Sequence, residues 1–434
     1  MLRHAVVLFT LLVLMPLSLA HASNRIDVVR PDAPALAAFG EFAIGVRTLA
    51  LVNPDQVDVL RAQPGEPLPR YDRPLTVELW YPAEGAPSAP GSQAYEVLTR
   101  DGETTATLYG RALRDAPPAA AEGPFPLVIL SHGYPGNRFL LSHLGENLAS
   151  KGYVVASIDH TDSTYADQAA FGSTLLNRAL DQLFTIDALA DHGSAGEGDL
   201  AGLIDADRSA IIGYSMGGFG ALNAVGGGFT GASVGFGFAP PNEALRVRQA
   251  GDEAFLASLD PRVRAIIPIG PWGMQVGFWD EAGLAGIETP VLFMAGSIDD
   301  VSDYERGIRA LFESSRNAER YLLTFEHANH NAAAPIPAPR EVRDEHPGGF
   351  GHYADAVWDT TRMNNIAQHF ATAFLGIHLK GDASLAPYLA LVEHAADGVV
   401  ARDDDGEPTD EHTYWRGFPD RTAVGLRFEH VRPE

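Results

Sequence analysis

The stretch that decides the fold is Gly213-Tyr214-Ser215-Met216-Gly217, which directly follows the apolar run of residues 210–212. A β-type run leads into it and small, helix-compatible residues follow it, so Ser215 is predicted to stand on a sharp strand-to-helix turn. Glycines are needed two residues to either side, because a Cβ there would collide with the neighbouring strand or helix. The helix amino terminus also favours negative charge at this point. Ser215 is therefore predicted to be a catalytic nucleophile.

An earlier loop offers the second amide that such a nucleophile needs. Ser131-His132-Gly133-Tyr134 follows the apolar run of residues 127–130. A tetrahedral oxyanion is stabilised by one backbone N–H after the nucleophile and one from a loop of this kind. The amides of Tyr134 and Met216 are the predicted pair. His132 is expected to brace the loop through hydrogen bonds rather than to touch a substrate.

A carboxylate and an imidazole follow in the chain order Ser, Asp, His that this arrangement requires. Asp299 lies after the apolar run 291–294 and His330 after the run 321–325. Each has a neighbour that could replace it, Asp300 for the acid and His327 for the base. Asp299 is preferred because the third residue after the glycine that begins the turn commonly faces the base. His330 is preferred because the loop must bend back toward Ser215.

Short apolar runs alternate with longer amphipathic stretches, which is typical of a mostly parallel sheet covered by helices. The prediction is an α/β-hydrolase fold with insertions and a carboxyl-terminal appendage. Strands are expected at residues 42–52, 75–81, 127–130, 153–158, 210–214, 263–269, 291–294 and 321–325. Helices are expected at residues 139–150, 175–190, 215–224, 303–315 and 354–374.

The domain prediction is an export signal at residues 1–22 followed by one catalytic domain at 23–434. Within that domain, residues 84–123 indicate an insertion, 226–260 a cap or lid, and 381–434 the appendage. The signal is predicted from Arg3 and His4 before the apolar run 5–17, with small residues at Ala20 and Ala22. That run is shorter than the roughly 20 residues a bilayer requires, so a secreted or periplasmic protein without stable membrane insertion is expected.

The composition of the chain excludes several classes of partner and of catalytic chemistry. The formal net charge is −25, and such a surface repels nucleic acid and anionic headgroups. The chain has no cysteine, which excludes disulfides, thiolate catalysis and Cys-ligated metals. Asp159, His160 and Asp162 could suggest a metal cluster, but they are expected to brace a loop. The acidic stretch 401–411 is expected to be a solvated loop, with a calcium site left open.

The motifs around Ser215 and Ser131, the run 148–156 and the following Asp159-His160 together resemble the platelet-activating-factor acetylhydrolase and predicted dienelactone hydrolase group. The likeness extends from about Phe42 to the tail near Trp415. Dienelactone hydrolases use a cysteine nucleophile, which this chain lacks, so their activity is not carried over. A serine esterase is what the resemblance implies.

A second resemblance is to bacterial cutinases and polyester hydrolases. Tyr134, Met216 and Pro271-Trp272 are similar to the aromatic-lined cleft of those enzymes. Tyr134 and Trp272 are thus candidate substrate contacts, although Trp272 could equally be a core or lid-packing residue. His352 and Tyr353 are expected to be surface or lid residues.

The functional prediction is hydrolysis of a carboxylic ester through an acyl-enzyme on Ser215, with Asp299, His330 and no cofactor or metal. The substrate is expected to be a small-molecule, lipid or polymer ester. A platelet-activating-factor-type phospholipid acyl hydrolase, a cutinase-like polyesterase and a perhydrolase are alternatives within the fold. A binding protein that has lost its chemistry is the alternative from another class, but such proteins typically lack the serine or the histidine. The oligomeric state is not predicted.

Overall fold

Strands and helices alternate along most of the chain in the computed structural model, which describes residues 24–168, 171–194 and 198–434. The predicted export signal at residues 1–22 lies outside these ranges. The described strands are β1 (Ala43–Val57), β2 (Arg70–Ala83), β3 (Gln93–Leu98), β4 (Thr105–Gly110), β5 (Leu113–Arg114), β6 (Phe125–Ser131), β7 (Val154–Asp159), β8 (Ile204–Tyr214), β9 (Val263–Ile269), β10 (Val291–Gly296), β11 (Arg320–Phe325) and β12 (Leu426–Val431).

Ten of these strands form one sheet in the order β12-β11-β10-β9-β8-β6-β7-β2-β1-β5. The six strands from β11 to β7 in that order run parallel, and antiparallel pairs with β12 and β2 flank them. The central strands are buried along most of their length, which is why they read as continuous apolar runs. The predicted mostly parallel central sheet is confirmed.

The register brings the ends of the central strands to one edge of the sheet. Ser131 pairs with Gly213, Tyr214 with Ile269, and Gly296 with Phe325. The loops that follow β6, β8, β9, β10 and β11 therefore start side by side. Ligand sites in open α/β sheets form at this carboxyl edge.

Helices cover both faces of the sheet. They are α1 (Ser142–Ala149), α2 (Phe171–Ser194), α3 (Met216–Ala224), α4 (Gly231–Val234), α5 (Glu253–Ala257), α6 (Glu281–Leu284), α7 (Ala310–Ser314) and α8 (Thr360–Lys380). α1 and α8 contribute Leu144 and Phe370 to the core on one face, and α2 and α3 contribute Leu176 and Phe219 to the core on the other. In the described ranges, no helix combines the length and apolar character needed to cross a bilayer.

Two predicted helices differ from those observed. The helix expected at 303–315 consists of a π-helical segment, Tyr304–Arg309, that continues into α7. The helix expected at 354–374 begins later, because the Asp359 side chain caps the amide of Arg362. It also ends later, at Gly381, whose φ of 69° is the left-handed conformation typical of a helix stop.

The insertion at 84–123 contains a hairpin that does not join the main sheet. β3 pairs only with β4 among the described strands, and the hairpin buries Tyr95, Val97 and Leu108 against the domain. Beyond it, β5 adds a short edge to β1. The hairpin thus lies on the domain as an extra layer.

The other two segments also pack on the single core. Residues 226–260 carry α4 and α5, and Phe236 of this segment contacts Trp272 at 6.3 Å between ring centroids. The carboxyl-terminal segment supplies β12 to the main sheet and stacks Phe428 on Phe370 of α8 at 5.0 Å. Through β12, the predicted appendage forms one edge of the main sheet.

Candidate active site

Ser215 stands on a tight turn between β8 and α3. Its φ of 51° and ψ of −111° are strained for a residue with a side chain. A Cβ added to Gly213 would lie 2.2 Å from the carbonyl of Gly217, and one added to Gly217 would lie 2.0 Å from the carbonyl oxygen of Ser131. The turn can therefore form only with glycine at both positions, which is the geometry that the sequence pattern predicts.

The loop after β6 lies against this turn. A Cβ added to Gly133 would be 3.3 Å from the Cβ of Ser215, so the backbone leading into Tyr134 passes beside the serine. His132 is buried, and its Nδ1 lies 2.7 Å from the Gly133 carbonyl oxygen while its Nε2 accepts from the His160 amide at 3.3 Å. Burial lowers the pKa of His132 most, and the nearby Arg178 lowers it further, so that the pKa lies well below its usual value. His132 thus braces the loop as a neutral ring.

Arg178 fixes the same loop from beneath. This buried side chain of α2 donates hydrogen bonds to the carbonyl oxygens of His132 and Gly133 and to the Ser163 hydroxyl. Gln182, one turn further along α2, donates to the Gly217 carbonyl at 2.9 Å. One helix therefore holds both the loop and the turn that carries Ser215.

A second buried network lies behind the loop. His160 bonds Ser131 through Nε2 at 2.8 Å and Asp181 through Nδ1 at 2.9 Å. Arg73 pairs with Asp181 at 2.8 Å and with Asp162 at 3.1 Å. Although burial alone raises the pKa of Asp181, Arg73 and His160 lower it to about 2. The carboxylate stays ionised, so the network remains intact over a wide pH range.

His330 and Asp299 form a hydrogen-bonded pair. Nδ1 of His330 lies 2.8 Å from Oδ2 of Asp299, and the other oxygen of Asp299 accepts the amides of Val301 at 2.9 Å and Ser302 at 2.7 Å. The Asp299 side chain is fully buried and the His330 side chain is 11% exposed. Three hydrogen-bond partners therefore hold the buried carboxylate in one orientation.

The two alternative residues, Asp300 and His327, do not join this pair. His327 is exposed, has a φ of 65° and receives no bond from either carboxylate, while its amide donates to Ser297. Asp300 is exposed beside the crevice. Among the described side chains, the structure brings Asp299 and His330 together and leaves Asp300 and His327 outside the pair.

Ser215 and His330 line one crevice of about 430 Å³. Tyr134 and Asp300 contribute to its wall. Ser215 is 8% exposed, so the serine is accessible only from this crevice. None of residues 226–260 lines it, and the lid function predicted for that segment stays a prediction.

Trp272 is not among the residues that line the crevice. Its amide faces the Ser215 carbonyl at 3.4 Å, and its ring packs against Phe171 at 5.3 Å and Phe278 at 5.6 Å. The Trp272 side chain is half-buried against the core, and its role as a substrate contact stays a prediction. Tyr134, the other candidate contact, does line the crevice and packs edge-on against Phe171 at 5.1 Å.

The surface position expected for Tyr353 is wrong, while a lid position of His352 and Tyr353 stays a prediction. Tyr353 is 2% exposed and accepts the amide of Arg100 at 3.1 Å. His352 lines the crevice, where its Nε2 bonds the Tyr165 hydroxyl at 2.7 Å. Burial, reinforced by Arg100, lowers the pKa of His352 to about 3, so its ring is neutral. Tyr353 is buried beside the turn of the insertion hairpin that carries Arg100.

Two other parts of the crevice were not found from the sequence. Arg100 lines it from the β3–β4 turn, and Gly348, Gly349 and Gly351 line it from the segment before α8. The alternation of apolar residues around Asp101-Gly102 could have predicted a hairpin. No local pattern indicates that its tip reaches Ser215.

The residues considered for metal binding have other partners. Asp159 pairs with Arg138, and Asp162 pairs with Arg73. Asp403 accepts the amides of Asp405 and Glu407 within its own turn. Within the described ranges, no three His, Asp or Glu side chains form a group that could hold a metal ion.

Comparison with a solved structure supports the architecture. The ferulic acid esterase from Streptomyces cinnamoneus aligns with a TM-score of 0.55 at 22% identity, covering 91% of this chain and 99% of that one. An identity this low carries the fold alone. The α/β-hydrolase fold predicted from the sequence is confirmed.

Sequence relatives give the class. Residues 104–233 match a family described as PETase, PET hydrolase-like. Cutinase est1 of Thermobifida alba is 25% identical over 66% of this chain and 78% of its own length. The bis(hydroxyethyl) terephthalate hydrolase of Streptomyces coelicolor is 25% identical over 52% of this chain and 56% of its own. Cutinase est2 of Thermobifida alba is 28% identical over 47% of this chain and 52% of its own.

The chain is thus an enzyme of the α/β-hydrolase fold, a carboxylic ester hydrolase. Within that class it is similar to cutinases and PET hydrolase-like proteins, which confirms the second of the two resemblances. It spans about half the length of several of these relatives. The resemblance to platelet-activating-factor acetylhydrolases stays a prediction.

Proposed function

We propose that the protein hydrolyses carboxylic esters through an acyl-enzyme on Ser215. The observation that carries this proposal is that Ser215 and His330 face one crevice while His330 is bonded to buried Asp299 at 2.8 Å. A nucleophile, a base and an orienting carboxylate in this relation are the parts of a serine hydrolase triad.

In the proposed mechanism, His330 takes the proton of the Ser215 hydroxyl as Oγ bonds to the ester carbonyl carbon. Asp299 holds the Nδ1–H tautomer and stabilises the imidazolium. The amides of Tyr134 and Met216 donate to the oxyanion. The C–O bond to the alcohol then breaks, and the alcohol leaves with the proton from His330. Water, deprotonated by His330, attacks the acyl-enzyme and releases the acid.

The complete set of polar groups argues against a binding protein that merely retains the fold. The strained backbone at Ser215 is a cost that persists where it serves a function. A polymer ester is the second candidate substrate, favoured by the similarity to cutinases and to a terephthalate ester hydrolase. A phospholipid ester remains the alternative implied by the first resemblance.

A panel of p-nitrophenyl esters, short-chain phospholipids and a polyester film tests this proposal. Turnover of short to medium acyl chains by the wild-type protein, lost in Ser215→Ala, is expected. Absence of turnover with every ester by folded protein would overturn it.

We further propose export with removal of residues 1–22. Amino-terminal sequencing of the secreted form should then begin at Ser23.

A further inference from the structure

We propose that Arg100 makes the crevice a site for esters that carry an anionic group, a carboxylate or a phosphate, on the acid or alcohol portion. This inference rests on the proposed function and names the substrate class of the same site. It begins with the fact that Arg100 lines the crevice together with Ser215 and His330. The hairpin that carries it lies in the insertion, outside the central sheet.

The Arg100 guanidinium has no counter-ion among the residues that the structure describes. In the part of the chain that the structure describes, no carboxylate lies within 4.0 Å of the Arg100 guanidinium, whereas buried Arg73 is paired with both Asp162 and Asp181. Its neighbour Asp101 is engaged in its own turn, where it accepts the amides of Glu103 and Thr104. An arginine side chain presents five donors, and among the described residues only the bond from Nη1 to the Pro135 carbonyl, at 3.2 Å, uses one of them.

The arginine is held in place before any substrate binds. The Arg100 amide donates to the Tyr353 hydroxyl at 3.1 Å, and the carbonyl of Leu98, two residues earlier at the end of β3, accepts from Asn137 at 2.8 Å. Further along the hairpin, Tyr95 donates to Glu146 at 2.6 Å. A donor fixed in this way loses little conformational entropy on binding an anion.

The charges around Arg100 favour this assignment. Among described residues that line the crevice, Arg100 is the one with a permanent positive charge, and burial keeps His352 neutral. Asp300 is the carboxylate of the crevice that is not paired with His330, and it is exposed to water, which screens it. The protein as a whole carries −25, so its general field repels anions. A local cation is therefore what an anionic ester requires here.

The shape of the site leaves room for such a group. A second cavity of about 280 Å³ shares Arg100, Gly348 and Gly349 with the crevice. Arg100 thus stands where the two spaces meet. A Cβ on Gly348 would meet nothing within 4 Å, so this wall is open. A substrate attached at Ser215 can extend past the guanidinium.

The test compares kcat/KM for matched esters. The first pair is p-nitrophenyl hydrogen adipate and its methyl ester, with the anion on the acid. The second is 4-acetoxybenzoate and its methyl ester, with the anion on the alcohol. A p-nitrophenyl ester ending in a phosphonate distinguishes phosphate from carboxylate. We expect the wild-type protein to prefer the anionic member of at least one pair by roughly tenfold or more, mainly through KM.

Arg100→Gln should reduce that preference to about unity or below, and Arg100→Lys should restore part of it. Arg343→Gln removes the same charge from an exposed position outside the crevice and should leave the ratio unchanged. Asp300→Asn should raise the ratio. Equal rates for both members of both pairs, or a preference that survives in Arg100→Gln, would overturn the inference. Failure of every ester would instead overturn the proposed function.

Discussion

Nδ1 of His330 is 2.8 Å from Oδ2 of Asp299, and Gly270 is packed against both of them. The other Asp299 oxygen is occupied by two backbone amides, so the carboxylate has one orientation and the imidazole follows it. The His330 side chain also lines the crevice that holds Ser215. This relationship is the basis of the first three predictions.

Replacement of Ser215 or His330 by alanine should lower kcat on the order of 10⁴-fold or more, because members of such a triad act as a unit. Asp299→Asn should cost somewhat less, since the imidazole remains but loses the group that fixes its tautomer. Steady-state kinetics with a p-nitrophenyl ester measure these effects. Circular dichroism of each variant confirms that the fold is retained.

The neighbouring acid and base residues provide matched controls. His327→Ala and Asp300→Asn should stay within about tenfold of the wild type, because neither side chain belongs to the hydrogen-bonded pair. The same kinetic assay is used. An inactive His327→Ala beside an active His330→Ala would show that the base has been assigned to the wrong histidine.

Gly270→Ala should lower kcat by about 10-fold or more by displacing the pair. Gly270 has a φ of 50°, and a Cβ there would lie 3.2 Å from His330 Nδ1 and 3.3 Å from Asp299 Oδ2. Gly277→Ala is the control, since Gly277 has a φ of 82° with nothing within 4 Å. Both variants carry the backbone cost of alanine at positive φ. Equal kcat values in the two would mean that contact with the pair is unimportant.

The fold was predictable where local pattern and tertiary structure agree. β9 was predicted to the residue, because this buried parallel strand is apolar at every position except Arg264. The Ser215 turn was predictable because any residue other than glycine at position 213 or 217 would clash with nearby backbone. The order of the motifs along the chain then placed Asp299 and His330 at the same sheet edge.

The parts of the site that could not be predicted depend on contacts between residues distant in sequence. Arg100 reaches the crevice only because Tyr95 and Asn137 fix the hairpin on the domain. Arg178 lies mid-helix, and nothing in its neighbours indicates that it binds carbonyls 45 residues earlier. Tyr353 looked exposed for the same reason, since the hairpin turn that it contacts is about 250 residues away.

Arg178→Met should lower kcat by about 10²-fold with a smaller change in KM, because the loop that leads to Tyr134 would lose its support. Arg178→Lys should recover part of kcat, since an ammonium can still donate to one carbonyl. The two constants are measured on a neutral ester. Wild-type kcat in both folded variants would show that Arg178 does not position the loop.

The ionisation of Glu146 should make the free energy of unfolding depend on pH. Burial raises its pKa from 4.5 to about 7, although hydrogen bonds from Tyr95, Ala112 and Arg111 oppose the shift. A raised carboxyl pKa contributes stability that is present below pH 4.5 and is lost as the pH rises through 7. Relative to the wild type, Glu146→Gln should therefore gain about 3 kcal/mol between pH 4.5 and 7.5.

Urea unfolding of the wild type and of Glu146→Gln at several pH values measures this difference. The contributions of all other titrating groups are the same in the two proteins and cancel. Tyr95 and Ala112 can still donate to the glutamine oxygen at the position of Oε1. A difference that does not change with pH would mean that Glu146 is ionised in the folded protein throughout this range.

The most direct test of the central claim is the mass of the protein after treatment with a p-nitrophenyl phosphonate. One phosphonyl adduct is expected, located by peptide mapping on Ser215, with ester turnover lost in proportion to labelling. Ser215→Ala should remain unlabelled, and His330→Ala should label far more slowly. An unmodified Ser215 in folded protein, or an adduct on another residue that accompanies loss of activity, would contradict it.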